Sequence, residues 1–419
     1  MSLTDLLPIT VIFIGGFMLI KLRAFFLLHP LATFRTFKSA LHEGGAVRSL
    51  CLALAGTLGV GNIVGVAYGL IVGGSGSVLW LILSSLFAMV LKYSEACISS
   101  DVSSGEGGGM LIPLRKSFKM LGGAFSCLYA ACALFLAFFM GGALQSVGAV
   151  GAISFSVGVD SMYLSLAFAL LTVVILVLAR HAIKSLTAAV IPLATAIYIA
   201  LSLGVVILNI GKLPSIISEI FQNAFNFKAA LGGGLGGAFI LSFREGFLRG
   251  ILSNEAGAGT SSFAHSEINS SPAAAGVLGM CEVLFDTVIL CPITAFAILS
   301  VIPNASDYTS AAGLVTSAFR ASLGSFASFL VSVCILLFAF STVVCWFYYG
   351  RVCSDYLRLP KRLYTLAFFL IIPLGCMLGE RIIVFACDAM LLILTLLTGA
   401  VIIKGSDRIK RLSELSGLL

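Results

Sequence analysis

Charge is what this sequence is short of. Asp, Glu, Lys and Arg make up 10% of its 419 residues, against about 25% in soluble globular domains. Other absences narrow the function. The only His-Glu pair, His42-Glu43, lacks the second histidine of a metalloprotease helix. The four histidines (His29, His42, His181, His265) are expected outside the spans, away from hydroxyls in the core, so no nucleophile and base share a depth. The apolar run Leu6–Ile20 has no small-x-small cleavage site, and its basic residues Lys21 and Arg23 follow it, so it reads as a retained helix. The eleven cysteines fit no metal spacing, and most, Cys97, Cys127, Cys132, Cys334 and Cys376 among them, fall in apolar runs as small hydrophobes.

What is present is apolar sequence: 59% hydrophobic residues and a mean hydropathy of +1.11. The runs are long and continuous, which predicts membrane-spanning helices rather than the short alternating strands of a barrel. Eleven spans are expected near 6–23, 47–72, 77–99, 122–150, 160–180, 186–210, 232–252, 274–301, 325–350, 363–380 and 383–404. The net charge of +7 is no nucleic-acid signal, because the basic residues cluster in short connections. Those clusters (Lys21 to Arg48, Arg115 to Lys119, Arg180 and Lys184, Arg249, Arg351 to Arg362, Lys404 to Arg411) share one side if eleven spans alternate. The positive-inside rule then predicts an outside N-terminus and a cytoplasmic C-terminus in the cell (inner) membrane.

Two glycine-rich stretches stand out. Leu54–Ala67 carries Gly56, Gly59, Gly61 and Gly65 with Thr57 and Asn62. Each glycine weakens a helix by about 1 kcal/mol relative to alanine, so this span is expected to break. Broken helices at membrane depth persist where freed backbone faces protein, ligand or a water-filled cavity. The second stretch, Leu231–Gly250, lies five spans later. With the first helix set aside, two sets of five remain, each starting with a glycine-rich span. Five is odd, so the halves run in opposite senses, the pattern of transporters with a midplane site. The expected divisions are 1–44 (extra helix and linker), 45–211 and 212–404 (five-helix repeats), and 405–419 (cytoplasmic tail). Gly61 and Gly65 also have the spacing of simple helix packing.

Four segments then carry a family resemblance, in order: GNIVGVA (Gly61–Ala67), RGILSNEAGAGTSSFAH (Arg249–His265), FDTVILCPITA (Phe285–Ala295) and FAFSTVVCWFYYG (Phe338–Gly350). Together they resemble the alanine/glycine:cation symporter (sodium:alanine symporter) family over about residues 45–405. The resemblance implies an all-α integral membrane protein with a leucine-transporter-like 5+5 inverted repeat, one extra helix, and sodium-coupled uptake of alanine or glycine. It implies no enzyme activity and no cofactor beyond Na+ as coupling ion. By the same resemblance, unwound backbone at Gly59, Val60, Gly61 and Asn62 would meet the substrate carboxylate. Carbonyls of Ala55 and Leu58 with hydroxyls of Ser341 and Thr342 would hold sodium. Gln145 would meet the substrate's polar end, Thr342 would also line its pocket, and Trp346 would cap it. Arg249, Asn254 and Glu255 would form a gating or structural network.

The residues admit plainer readings too. Membrane Ser and Thr often bond their own helix, Trp anchors at interfaces, and Gln can be interhelical glue. The chain also departs from the family pattern: Val60 replaces a threonine, Cys291-Pro292 replaces Cys-Thr, and Gly105–Met110 replaces a G-G-P-M loop. A proton-coupled transporter of the same fold would need an intramembrane titratable group, for which Glu245 and Asp286 are candidates. A channel would need a repeated ring or filter of ligands, which is not evident.

Overall fold

The computed structural model describes residues 5–43, 46–103, 108–178, 183–225, 236–266 and 271–419. The described residues are helical almost throughout, as continuous apolar runs require when no water is present to satisfy backbone groups. Among the described residues, seven helices are long and apolar enough to cross a membrane. The most enclosed, Ser325–Tyr356, has 72% of its apolar window buried, and the most peripheral, Lys361–Leu378, has 22%. The outer faces expose large apolar side chains such as Phe13, Leu170, Leu370 and Met377, as a lipid-facing surface does.

In chain order, α1 (Leu6–Lys21) leads through α2 (Pro30–Leu41) to α3 (Ala46–Thr57) and α4 (Val64–Gly73). Helices α3 and α4 are one span broken in the middle. They are followed by α5 (Ser77–Ser103), α6 (Gly122–Val157), α7 (Ser161–Leu178) and α8 (Ile183–Leu208). The second half repeats the plan. It opens with α9 (Gly236–Asn254) and α10 (Ser261–His265), again one interrupted element, and continues with α11 (Pro272–Leu299). After the short α12 (Ala311–Leu323) come α13 (Ser325–Tyr356), α14 (Lys361–Leu378) and α15 (Glu380–Lys404).

The tail at 405–419 is helical at α16 (Ser406–Leu415). It docks on the bundle: Tyr93 Oη and Ser413 Oγ are 2.6 Å apart, and Lys21 Nζ lies 2.7 Å from Asp407. The Lys21 hydrogen bond and charge hold the Asp407 carboxyl below its ordinary range.

Helix α13 packs against α3, α6 and α8, and α5 packs against α9 and α11. Both long helices therefore line the two broken elements. Helices α6 and α11 each contain a π-helical stretch, Ala137–Leu144 and Leu284–Leu290. The first ends where Gln145 begins, and the second contains Asp286 and Thr287. Such bulges re-aim side chains and recur at functional sites.

Over its described residues, 236–250, the second glycine-rich stretch is not interrupted. Helix α9 is continuous from Gly236 to Asn254, and the chain opens at Glu255–Thr260 instead. Residues 231–235 of the glycine run lie outside the described residues, as do 104–107 of the expected loop, Arg180 of the basic pair Arg180 and Lys184, and His181. Gly246 and Gly250 serve close packing. A Cβ at Gly246 would overlap Ser77 and sit 2.6 Å from Trp80 Cβ, and one at Gly250 would overlap Ser84, all on α5. The true break is marked by left-handed backbone at Glu255, Gly257 and Gly259 (φ 57°, 90° and 76°).

This packing has a measurable consequence. Gly246→Ala, which pushes a methyl into α5 backbone, is expected to destabilise the protein by about 1–3 kcal/mol. Gly237→Ala, with open space around it, is expected to be neutral or to gain up to about 1 kcal/mol. Thermal melts of the purified variants in detergent check this, and equal melting temperatures would refute the close α5–α9 contact.

Candidate functional site

The first break is built from a few local conflicts. Helix α3 ends at Thr57, and Gly59 is extended (φ −121°, ψ −155°), a conformation open to any residue. Glycine is required there by proximity instead: a Cβ would lie 2.7 Å from Thr342 Oγ1 and 2.8 Å from Gln145 Oε1. The freed amides are taken by side chains. Gly59 N–H donates to Asn62 Oδ1 at 3.0 Å, and Val60 N–H donates to Gln145 Oε1 at 2.9 Å. Gln145 Nε2 in turn donates to Met140 O at 3.1 Å. The π-helical stretch before Gln145 thus holds the amide group that closes the break.

On the carbonyl side, Thr342 Oγ1 donates to Ala55 O at 3.0 Å and lies 3.5 Å from Leu58 O. Ser341, beside it, turns back to donate to Phe338 O of its own helix at 2.8 Å. Of the two hydroxyls singled out in the sequence, only that of Thr342 reaches the break. These oxygens gather at the C-terminal end of α3, where the helix dipole favours a cation. Val60 packs against α6 so closely that a Cβ at Gly148 would overlap its side chain. A small cavity adjoins the break, lined by Val60, Gly61, Gly65, Leu144, Leu252 and Arg249 among others. Nothing lies within 4 Å of a Cβ built on Gly65.

The second break is held by carboxylates and hydroxyls. Asn254 ends α9, accepts the Ala256 N–H at Oδ1 (2.9 Å) and donates from Nδ2 to Thr287 Oγ1 (2.9 Å). Asp286 accepts from Ser253 Oγ at 2.8 Å and from Thr287 Oγ1 at 2.6 Å. Glu255 holds its left-handed backbone against a strain of about 1–3 kcal/mol, and its Oε1 accepts the Trp346 indole N–H at 3.0 Å. Trp346 is 1% exposed, an interior side chain and no interfacial anchor. It faces α6, where a Cβ at Gly141 would overlap it.

Arg249 belongs to a separate cluster. Its Nη2 donates to Asp388 Oδ2 at 2.7 Å, its Nε lies 3.5 Å from Glu245, and its guanidinium sits 5.3 Å from the Tyr68 ring centroid. The structure therefore places Arg249, Asn254 and Glu255 in three neighbouring sets of contacts rather than one network. Glu245 has a charged partner, and Asp286 has hydroxyls.

Sequence reasoning missed Lys92, Glu95 and Glu282, all at most 1% exposed. Lys92 and Glu95 stand three apart inside an apolar span, and that spacing was the available signal. It also misplaced His265, which is fully buried at the end of α10. Its Nε2 lies 2.8 Å from Glu282 Oε1, and its Nδ1 lies 2.8 Å from Ser49 Oγ. Ser49 has a single hydrogen, and the hydroxyl donates to Ala264 O at 2.8 Å. The Ser-His-Glu order looks catalytic, but both ring nitrogens are already engaged, by Glu282 and by Ser49, inside a closed contact between helices. Among the described residues, no group of three or more His, Cys, Asp or Glu is placed to hold a metal ion.

Comparison with known proteins agrees with this architecture. A model described as the sodium:alanine symporter family matches residues 1–414. The chain is 32% identical over 342 residues to the sodium/alanine symporter AgcS of Methanococcus maripaludis, covering 77% of this chain and 73% of that protein. It is 30% identical over 369 residues to the amino-acid carrier protein AlsT of Bacillus subtilis, covering 85% and 77%. Among solved structures, MhsT in complex with L-phenylalanine superposes with a TM-score of 0.60 at 13% identity, covering 86% of this chain and 88% of that one. The Eremococcus coleocola manganese transporter superposes at 0.55 and 15% identity, covering 84% and 75%. At such identities the likeness is one of fold, the leucine-transporter-like inverted repeat. These relatives are transporters, not enzymes. By its match over residues 1–414 and its likeness to these carriers, the chain belongs to the sodium:alanine symporter family, a family of multi-pass membrane proteins.

Proposed function

We propose that this protein imports a small neutral amino acid, alanine or glycine, together with sodium. The observation that carries the reading is the convergence at the first break. Three oxygens (Ala55 O, Leu58 O, Thr342 Oγ1) gather on its carbonyl side, and the backbone amides of Gly59 and Val60 follow directly in the unwound segment, with Gly61 and Asn62 next in the chain. Sodium, a hard cation, would bind the oxygens, with Ser341 joining once its hydroxyl rotates off Phe338 O. The amino-acid carboxylate would take the amides, because a buried carboxylate has to be hydrogen-bonded or paired. Gln145 now accepts the Val60 N–H, and it would exchange that bond for the substrate. A threonine at position 60 would add a hydroxyl here; Val60 leaves the task to the backbone.

The small cavity between Val60, Gly61, Leu144 and Leu252 suits a side chain of one methyl or none. Trp346, on α13 and outside the lining of that cavity, would wall the site on the Thr342 side. Bound sodium would stabilise the unwound segment and so favour substrate binding, and alternating access would rock one part of the inverted repeat (residues 45–211 and 212–404) against the other. The basic connections favour an outside N-terminus and a cytoplasmic C-terminus, in the cell membrane.

In proteoliposomes with an inward sodium gradient, the protein should accumulate alanine and lose that accumulation when potassium replaces sodium. No accumulation of any small amino acid would sink the reading. Thr342→Val should raise the sodium concentration for half-maximal uptake by tenfold or more, about 1.4 kcal/mol, with Ser341→Ala shifting it less. Equal effects would contradict the priority given to Thr342. Gln145→Leu leaves the Val60 N–H unpaired, so it should cost about 1–3 kcal/mol of stability and speed amide exchange across residues 58–63, read by mass spectrometry. Unchanged exchange would show that Gln145 does not hold the break.

A further inference from the structure

We propose that the groove between α2 with the turn before it, α5 and α11 is a binding site for an anionic phospholipid, with one acyl chain in the groove and the phosphate against Arg35 and Lys38 of α2. The transport cycle proposed above makes no use of this place. The groove has a volume of about 550 Å³, within the range of roughly 300–1,000 Å³ of small-molecule sites. Phe34 and Phe37 of α2, Met89 of α5, and Met280 and Phe285 of α11 line it, and among the described residues no charged side chain does. Its hydroxyls are already engaged: Thr33 donates to His29 O at 3.1 Å, and Ser85 donates to Ile82 O at 2.6 Å. A solute that needs hydrogen bonds would lose them on entering, whereas a hydrocarbon chain has none to lose.

The groove starts near one end of the bundle and runs inward. Lys21, before the turn, reaches Asp407 of the tail, and Glu43, after α2, accepts the Ser271 N–H at 3.2 Å just ahead of α11. Phe25 packs on Tyr93 of α5 with ring centroids 4.9 Å apart. The α5 residues that line the groove, from Ile82 to Met89, precede Tyr93 on the helix, which sets them about 6–16 Å further along the span. The groove opens past Phe34 and Phe285, both exposed, onto the apolar outer face. Its occupant therefore enters from the bilayer, out of the leaflet on the side of the basic connections.

Charge selects the headgroup. Residues 6–42 contain Lys21, Arg23, Arg35 and Lys38 but no Asp or Glu. Lys21 is held by Asp407, while Arg23, Arg35 and Lys38 are exposed and have no ion-pair partner among the described residues. On α2, Lys38 stands one turn beyond Phe34, and Arg35 one turn beyond the exposed Leu31. Each of these apolar anchors thus has a cation beside it, and long basic side chains reach the phosphates while their stems stay in apolar surroundings. The turn is built for this placement. Arg23 and Ala24 both take left-handed backbone (φ 52° and 45°), a strained choice for residues with side chains, which leaves Arg23 exposed and buries Phe25 and Phe26. The occupant also bears on the second break. Leu284, Phe285 and Val288 line the groove from the π-helical stretch of α11, whose Asp286 and Thr287 hold Ser253 and Asn254. An acyl chain in the groove supports that stretch from outside.

The test uses the full chain in nanodiscs containing phosphatidylglycerol with a photoreactive diazirine midway along one acyl chain. After irradiation, peptide mass spectrometry should find the label concentrated on residues 26–37, 82–89 and 280–288. Unlabelled phosphatidylglycerol should compete about tenfold better than phosphatidylcholine, the order expected of two basic side chains at a charged leaflet. Arg35→Gln combined with Lys38→Gln, both at exposed positions, should remove that preference. Val288→Trp, which fills the groove, should lower the label there with an unchanged melting temperature; should it fail to fold, the Arg35→Gln/Lys38→Gln variant decides alone. Phosphatidylglycerol should also slow amide exchange across residues 284–290 relative to phosphatidylcholine, and unchanged exchange would overturn the link to the second break. Label spread equally over the exposed faces of α7 and α14 would mean ordinary lipid contact and overturn the site. So would equal competition by the two lipids, or a preference kept in the double variant. These readouts need neither sodium nor alanine, so their failure leaves the transport reading untouched.

Discussion

An unwound backbone inside a bilayer must find partners within the protein, because each unsatisfied group there costs several kcal/mol. The rest of this structure is arranged around that constraint at two places. At the first break, two amides are taken by Asn62 and Gln145, and two carbonyls face Thr342. Every one of these partners is a neutral side chain that can let go. The break is thus stable when empty and has groups to offer a ligand that brings its own charge.

The second break solves the same problem with charge. Glu95 takes the Gly257 amide, Glu255 takes the Trp346 indole, and Lys92, Glu282 and His265 tie α5, α10 and α11 together, with Ser49 joining α3. Carboxylates accept strongly but carry a burden that a dry interior has to neutralise. The two breaks meet through α13, where Thr342 serves one and Trp346 the other. Any rocking of the broken elements would alter both sets of contacts together, which is a physical route for coupling one cation to another solute.

Much of the fold was legible because hydropathy and length determine where a helix crosses a membrane, and the long apolar runs could hardly be misread. The first break was legible because its glycines sit beside Thr57 and Asn62. The opening at 255–260 was not legible in the same way, because glycine count does not distinguish a helix that packs closely from one that opens. Gly246 and Gly250 admit α5, whereas Gly257 and Gly259 are needed for left-handed backbone, with Glu255 joining them at a cost no composition rule anticipates. Ser341 and Thr342 are adjacent and chemically alike, yet only the second faces α3; rotation about a helix axis decides that. Lys92 and Glu95 were hidden by an apolar surrounding that made their span look ordinary, and His265 looked peripheral because it ends a short helix inside the bundle.

The most direct test of the account is the ratio of labelled sodium to labelled alanine crossing the same proteoliposome membrane. The account predicts a fixed ratio with at least one sodium ion per alanine and negligible movement of either without the other. Alanine crossing at full rate in the absence of sodium, or sodium leaking freely without alanine, would contradict it.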